Sequence, residues 1–206
     1  MADIDKTLKL NAKINISEEI RTEFIRKSIH VLIALVPSLA QISLNFTYFL
    51  LLSGMVVFGF AELTRLQGGK VVIISRLTLL ASRRRDNGRF VLGPVTLAIG
   101  AMLALSLYPA PAAAIAIYAL AFGDSLSSIM GKMFGKIKIP FTDGKTLAGS
   151  FACFFVVFAV SYLYTLDLSA AVIIGSAAAI FEAIPVKDLD NIIIPLGTGA
   201  VASLFF

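Results

Sequence analysis

Four residues near the start of the chain combine an acid, two cations and an imidazole within one apolar stretch. They are Glu23, Arg26, Lys27 and His30. Their spacing places all four on one face of a helix. A charged side chain at the centre of a membrane span costs about 2.5–3.5 kcal/mol on insertion scales, so such residues call for a specific reason. His30, the only histidine, is predicted to be a catalytic group or a phosphate ligand. Arg26 and Lys27 are predicted either to bind phosphate or to anchor the helix at the lipid headgroups.

A second group of chemically active residues lies between positions 122 and 150. Asp124 stands inside an apolar segment, and Ser128, Gly131 and Gly135 follow it at steps of four, three and four. Small residues at these steps let another backbone or a phosphate chain approach a helix closely. A basic loop follows and leads into another apolar segment, whose start offers free amides to an anion. The predicted ligands for a phosphate chain, such as that of a nucleotide, are Ser128, Gly131, Lys132, Gly135, Lys136, Lys145, Thr146 and Ser150, and the alternative is ordinary helix packing next to a basic loop.

A third group consists of carboxylates near the ends of apolar segments. Oxygen ligands suit Mg²⁺, and neighbouring lysines would offset the charge of bound phosphates. We therefore expect a site for a magnesium-bound polyphosphate. Its predicted metal ligands are Asp124, Asp143, Glu182, Asp188, Asp190 and Asn191. Asp124 is the favoured general base because it lies deepest, and Glu182 and His30 are the other catalytic candidates.

The elements that position these residues are membrane spans. The chain has 58% hydrophobic residues, a mean hydropathy of +0.89 and no long polar stretch after position 90. A span needs about twenty mostly apolar residues, and Pro, Gly and charge divide the chain into seven such segments. They lie near 24–43, 46–64, 90–107, 110–130, 147–164, 169–185 and 191–206. The prediction is a single all-α integral membrane domain over residues 1–206.

The connections between these segments predict their orientation. Three short connections, 43–47, 108–111 and 165–168, carry only Asp167, whereas all the Lys and Arg residues lie in the others, in the N-terminal arm or at the adjoining start of the first span. By the positive-inside rule the charged connections and the N-terminus are cytoplasmic, and the site faces the cytoplasm. Residues 1–22 lack the pattern of a signal peptide and are predicted to form an amphipathic interfacial arm. The membrane would be the cell membrane or, in a eukaryote, the endoplasmic reticulum.

Three motifs together resemble a known family. They read R-K-x2-H at Arg26, GD-x3-S-x2-G-x3-G followed by GKT-x2-GS from Gly123, and E-x-I-P-x2-D-x-DN at Glu182. The sequence from Glu23 to Pro195 thus resembles the CTP-dependent lipid-alcohol kinases, which include dolichol kinase, phytol kinase and CTP-dependent diacylglycerol kinase. These are distant relatives of phosphatidate cytidylyltransferase.

The resemblance implies transfer of the γ-phosphate of CTP to the hydroxyl of a polyprenol or dolichol-type lipid, with Mg²⁺, at the cytoplasmic face. It assigns Asp124, Gly131, Gly135, Lys145, Thr146 and Ser150 to the nucleotide and metal region. It assigns Glu182, Asp188, Asp190 and Asn191 to the later acidic motif. Ala148 occupies a position that is acidic in many members.

Two other classes of protein fit part of this pattern. A cytidylyltransferase-like enzyme would make a CDP-lipid and release pyrophosphate, so the identity of the product separates it from a kinase. A small-solute transporter would use Asp124, Glu182 and His30 as coupling residues, but the charges gather at one face and suggest no continuous path. The expected partners are CTP, the lipid alcohol and membrane lipids, without nucleic acid; a homo-oligomer is possible.

Overall fold

The chain folds into a bundle of apolar helices. The computed structural model describes residues 18, 20–69, 88–186 and 189–206. These residues form helices α1 Ile20–Ile42, α2 Leu44–Leu66, α3 Gly93–Leu107, α4 Ala110–Phe134, α5 Leu147–Thr165, α6 Leu168–Ala183 and α7 Asp190–Phe205. Within the described ranges the only β-type pairing is an isolated bridge between Lys138 and Thr146. The predicted all-α membrane class is therefore confirmed.

The helices differ in length from the predicted spans. Four of them, α1, α2, α4 and α5, are long and apolar enough to cross a membrane. The other three are apolar but shorter, since α3 has 15 residues and α6 has 16. Prolines account for part of the difference: Pro94 lies in the first turn of α3, and the extended backbone of Ile184 before Pro185 ends α6. Four spans are thus supported, and the seven-span arrangement and its orientation stay predictions.

Two predicted features fall largely or wholly outside the described residues. The amphipathic arm at 1–22 is described only at residue 18 and from residue 20 onward. Asp188, one of the predicted metal ligands, also lies outside the described ranges.

The centre of the bundle is α4. In the 18-residue stretch that qualifies α4 as a candidate span, 67% of the residues are buried inside the protein, against 11% in the corresponding stretch of α2. Its first half contains the alanine-rich stretch from Ala112 to Ala116, whose side chains are all buried. Short side chains let neighbouring helices approach closely, so α4 is held between α1, α5 and α7. The polar residues in the middle of α4, Asp124, Ser125 and Ser127, therefore lie in the interior of the bundle.

Gly100 tests how tightly this bundle is packed. A Cβ atom at Gly100 would lie 2.0 Å from the carbonyl oxygen of Asn191, where α3 meets α7. We expect Gly100→Ala to destabilise the protein by about 1–3 kcal/mol, because backbone would have to move. Gly59→Ala on α2 is the matched control, since its Cβ would meet nothing within 4 Å. Thermal unfolding in detergent should show a lower midpoint for the first variant alone; equal midpoints would contradict the close contact.

Candidate active site

The charged face of α1 packs against the middle of α4. Lys27 Nζ pairs with Asp124, and both side chains are 1% exposed. His30 Nε2 lies 3.4 Å from the same carboxylate oxygen, Oδ2. The other oxygen of Asp124, Oδ1, is buried and has no hydrogen-bond partner among the described residues. The structure thus brings three predicted site residues together and leaves one carboxylate oxygen available.

Asp124 owes its position to an irregular turn in α4. Residues Ala119–Gly123 form a π-helical segment, and the amide of Asp124 donates to the carbonyl oxygen of Ala119. The ring of His30 lies beside the backbone of Leu120 within this segment. Such single-turn π segments widen the helix locally and occur often at functional sites. Here the segment both presents Asp124 to α1 and engages the histidine.

A second buried carboxylate, Glu182, lies near the C-terminal end of α6. Its Oε1 accepts from Lys145 Nζ and lies 2.9 Å from Ser127 Oγ. Ser127 Oγ also lies 3.1 Å from the backbone carbonyl oxygen of Asp124. This hydroxyl therefore bridges the backbone of Asp124 and the carboxylate of Glu182. Glu182 Oε2 is buried without a hydrogen-bond partner among the described residues. Each acid therefore has one oxygen held by a cation and one oxygen available.

Lys145 stays charged in this environment. Burial alone would lower the pKa of its ammonium group, but the carboxylates of Glu182 and Asp124 raise the pKa above its ordinary value. The lysine is therefore protonated at neutral pH and supplies a fixed positive charge.

The loop between α4 and α5 supplies one wall of the site. Residues 135–146 fold back on themselves as a hairpin loop, in which the amide of Ile139 donates to the carbonyl oxygen of Lys145 at 2.8 Å. Asp143 and Gly144 turn the chain with φ angles of 50° and 90°, the left-handed region that Gly and Asp tolerate best. Thr146 ends the loop as the N-cap of α5, and its Oγ1 accepts from the amide of Gly149 at 3.3 Å. The loop thereby carries Lys145 to Glu182.

These elements enclose a cavity of about 420 Å³. Its polar lining consists of Glu23, Ser127, Ser128, Lys132, Thr142, Asp143, Lys145, Thr146, Glu182 and Asp190. At its rim Lys132 Nζ donates to Glu23 Oε2 at 2.8 Å, and Arg26 also pairs with Glu23. Because Glu23 is on α1 and Lys132 on α4, this cluster joins the two helices beside the cavity. Lysines and carboxylates around one cavity suit a ligand with phosphate groups and an accompanying cation.

The predicted site residues divide into three sets. Those that line the cavity are Ser128, Gly131, Lys132, Asp143, Lys145, Thr146, Glu182 and Asp190. Those that do not line it are Arg26, Lys27, His30, Asp124, Gly135, Lys136, Ser150 and Asn191, and Asp188 is outside the described residues. Asn191 Nδ2 donates to Gly93 O and Thr96 Oγ1, which joins α7 to α3. Its assignment as a metal ligand stays a prediction.

Sequence reasoning missed Ser127 and gave Glu23 no role in the site. Ser127 follows Asp124 by three residues and Ser128 by four, and both spacings are close on a helix. The series of small residues at steps of four, three and four drew attention to Ser128 and passed over Ser127. Glu23 was recognisable from its place on the charged face of α1.

The glycines of the motif serve the packing of α4 against α5. A Cβ at Gly149 would lie 2.7 Å from the carbonyl oxygen of Ser127, and one at Gly131 would lie 3.0 Å from Thr146 Oγ1. The start of α5, through Thr146 Oγ1 and the Cα atom of Gly149, therefore makes the close approach to Gly131. Gly131 also lines the cavity. Its predicted role in binding a phosphate group stays a prediction.

The acids around the cavity do not form a complete metal cage. Among the described residues no three His, Cys, Asp or Glu side chains are grouped so that they could hold a metal ion alone. Mg²⁺, however, is usually held by one or two carboxylates together with substrate phosphates and water. The unpartnered Oε2 of Glu182 and the nearby Asp190 are hard oxygen donors of the kind this ion prefers. The residues present fit a magnesium ion that arrives with a polyphosphate.

Fold and site together define a helical membrane protein with a cavity lined by lysines and carboxylates, next to the buried Asp124. No family model and no solved structure matches the chain significantly. A Triticum aestivum protein named probable phytol kinase, chloroplastic, is 36% identical over 100 residues, which are 41% of this chain and 33% of the relative. Phytol kinase 1, chloroplastic, of Arabidopsis thaliana is 33% identical over the same shares. A Glycine max probable phytol kinase 1 is 31% identical over 47% of this chain and 37% of its own length. The chain thus spans about a third of the length of these relatives.

Proposed function

We propose that this protein transfers the terminal phosphoryl group of a nucleoside triphosphate to the hydroxyl of an isoprenoid lipid alcohol. The observation that carries the proposal is the pair of buried acids, Asp124 and Glu182, next to a cavity with Lys132 and Lys145. The named relatives support a lipid alcohol as acceptor, since phytol is an isoprenoid alcohol. The resemblance to CTP-dependent kinases supports CTP as donor and extends the acceptors to polyprenols of the dolichol type.

In this proposal the nucleotide and the lipid approach from different sides. The triphosphate occupies the cavity, where Lys132, Lys145 and the hydroxyl of Thr146 face it. Asp124 does not line the cavity and lies inside a helix long enough to cross the membrane. The alcohol therefore enters between helices, with its apolar tail in the bilayer and its hydroxyl toward Asp124 Oδ1.

The proposed reaction is a single displacement. Asp124 Oδ1 accepts the proton of the alcohol as the alcohol oxygen bonds to the γ-phosphorus, and the bond from that phosphorus to the β-phosphate oxygen breaks. The products are a lipid monophosphate and CDP. Lys27 holds Oδ2, with His30 Nε2 3.4 Å from the same oxygen, and this fixes the direction of Oδ1. Lys145 and Lys132 stabilise the charge on the transferring and leaving oxygens.

Magnesium would be held by Glu182 and Asp190 together with the phosphates of the nucleotide. When bound, it would neutralise part of the phosphate charge. Lys145, already paired with Glu182, would keep the free oxygen of that carboxylate directed away from the lysine. Asp143 lines the same cavity and is a further candidate ligand.

We further propose that the cavity opens to the cytoplasm, where nucleotides are present. The lysines of the hairpin loop lie at the same end of α4 and α5 as the cavity. By the positive-inside rule this end faces the cytoplasm.

The decisive experiment is a product assay on the purified protein. Protein in detergent with Mg²⁺ is incubated with γ-labelled CTP or ATP and with phytol, a polyprenol, diacylglycerol or phosphatidic acid. We expect label in the monophosphate of phytol or the polyprenol, with CTP as donor. Release of labelled pyrophosphate with phosphatidic acid would instead identify a cytidylyltransferase. Absence of turnover with every pair would overturn the proposed reaction.

A further inference from the structure

The outer surface of the hairpin loop is both apolar and cationic. Phe141 at its tip is 98% exposed, and Ile137 is 64% exposed. Lys136 and Lys138 are exposed on either side of Ile137. Phe141 also adopts a φ angle of 63°, a conformation uncommon for residues other than glycine. An exposed aromatic ring beside two lysines is typical of a surface that binds a partner with both apolar and anionic groups.

The connections of the loop restrict what that partner is. The loop joins Phe134 and Leu147, the ends of two helices that are each long enough to cross a membrane. It has twelve residues, so a folded-back chain of this length stays within about 20 Å of the helix ends. The headgroup layer begins where the hydrocarbon core ends, and the loop therefore lies at or just above that layer.

We propose that the hairpin loop docks on anionic phospholipid headgroups, with Phe141 inserted into the interface. Aromatic side chains are favoured at the boundary between headgroups and acyl chains. Lys136 and Lys138 would bind the lipid phosphates while their methylene chains lie against apolar surface. This inference does not require the proposed phosphoryl transfer.

Docking would act on the cavity through the other side of the same loop. Thr142, Asp143, Lys145 and Thr146 line the cavity, whereas Phe141 points away from it into solvent. A loop fixed to the headgroups would hold Lys145 and Thr146 in place at the membrane surface. Anionic lipid would then bind this loop in addition to surrounding the helices.

Tryptophan fluorescence tests the docking directly, because the chain contains no tryptophan. Phe141→Trp is placed in nanodiscs of phosphatidylcholine alone or of phosphatidylcholine and phosphatidylglycerol in equal parts. With phosphatidylglycerol we expect a blue-shifted emission, several-fold weaker quenching by acrylamide and clear quenching by lipids with brominated chains. Phe49→Trp on α2, where Phe49 is 67% exposed on a candidate span, gives the reference for a ring inside the bilayer.

A lysine variant tests whether the headgroup charge matters. Replacing both Lys136 and Lys138 with Gln in the Phe141→Trp background should remove most of the difference between the two nanodiscs. An introduced indole that is as accessible to acrylamide as free tryptophan in both nanodiscs would overturn the docking. Equal insertion in both lipids, unchanged by the lysine substitutions, would overturn the recognition of anionic headgroups. These readouts do not depend on enzymatic activity.

Discussion

Asp124→Asn is expected to reduce formation of lipid phosphate by about a thousandfold, within the range general bases contribute. Asparagine keeps the shape of the side chain but cannot accept the proton of the alcohol. The measurement is transfer of label from γ-labelled CTP to the lipid that the wild-type protein prefers. Nucleotide binding should change much less than turnover, because Asp124 does not line the cavity.

The same substitution also leaves Lys27 without its buried partner. Breaking a buried ion pair costs about 3–5 kcal/mol, so loss of activity could reflect loss of folded protein. The double variant Asp124→Asn with Lys27→Met removes both charges and should recover much of the stability while staying inactive. Asp167→Asn is the matched control, because Asp167 is an exposed N-cap of α6. Undiminished turnover in folded Asp124→Asn would remove Asp124 from the role of base.

Hydropathy and residue spacing were sufficient to predict the long helices. The predicted span at 46–64 corresponds to α2 at Leu44–Leu66, and that at 147–164 corresponds to α5 at Leu147–Thr165. Each is a continuous apolar segment with a polar cap at its start, Ser43 or Thr146. Two of the shorter helices were overestimated, α3 at its start and α6 at its end, because hydropathy does not register where proline and extended backbone limit a helix. Ile184 and Pro185 are apolar and yet lie beyond α6.

The charged face of α1 was visible in the sequence, but its partner was not. Lys27 and Asp124 are 97 residues apart, and only the packing of α1 against α4 brings them together. The π-helical turn before Asp124 was also hidden, because its residues, Ala119 to Gly123, are ordinary residues of an apolar helix. Spacing of glycines likewise does not distinguish a site for phosphate from a site for a neighbouring backbone. The contact of Gly149 with the carbonyl of Ser127 needed coordinates.

The two acids are expected to differ in what they do, and Glu182→Gln measures this difference. We expect turnover to fall by at least about a hundredfold and the magnesium concentration needed for half-maximal activity to rise. The physical reason is that Glu182 borders the cavity and has a buried, unpartnered oxygen, while its other oxygen is held by Lys145 and Ser127. Asp124→Asn should lower turnover without this shift in magnesium dependence, because its proposed role is proton transfer.

Glu62→Gln supplies the control for the loss of a buried glutamate from an ion pair. Glu62 lies near the C-terminal end of α2 and is 1% exposed. Its carboxylate accepts from Arg65 and from the amide of Val91, so these contacts stabilise the end of that helix. The folded fraction of both variants, measured by thermal unfolding in detergent, allows activity to be compared per folded molecule. On that basis Glu62→Gln should retain activity and an unchanged magnesium dependence. If Glu182→Gln behaved in the same way, Glu182 would be a structural residue like Glu62, and the metal site would have to be sought among Asp143, Asp188 and Asp190.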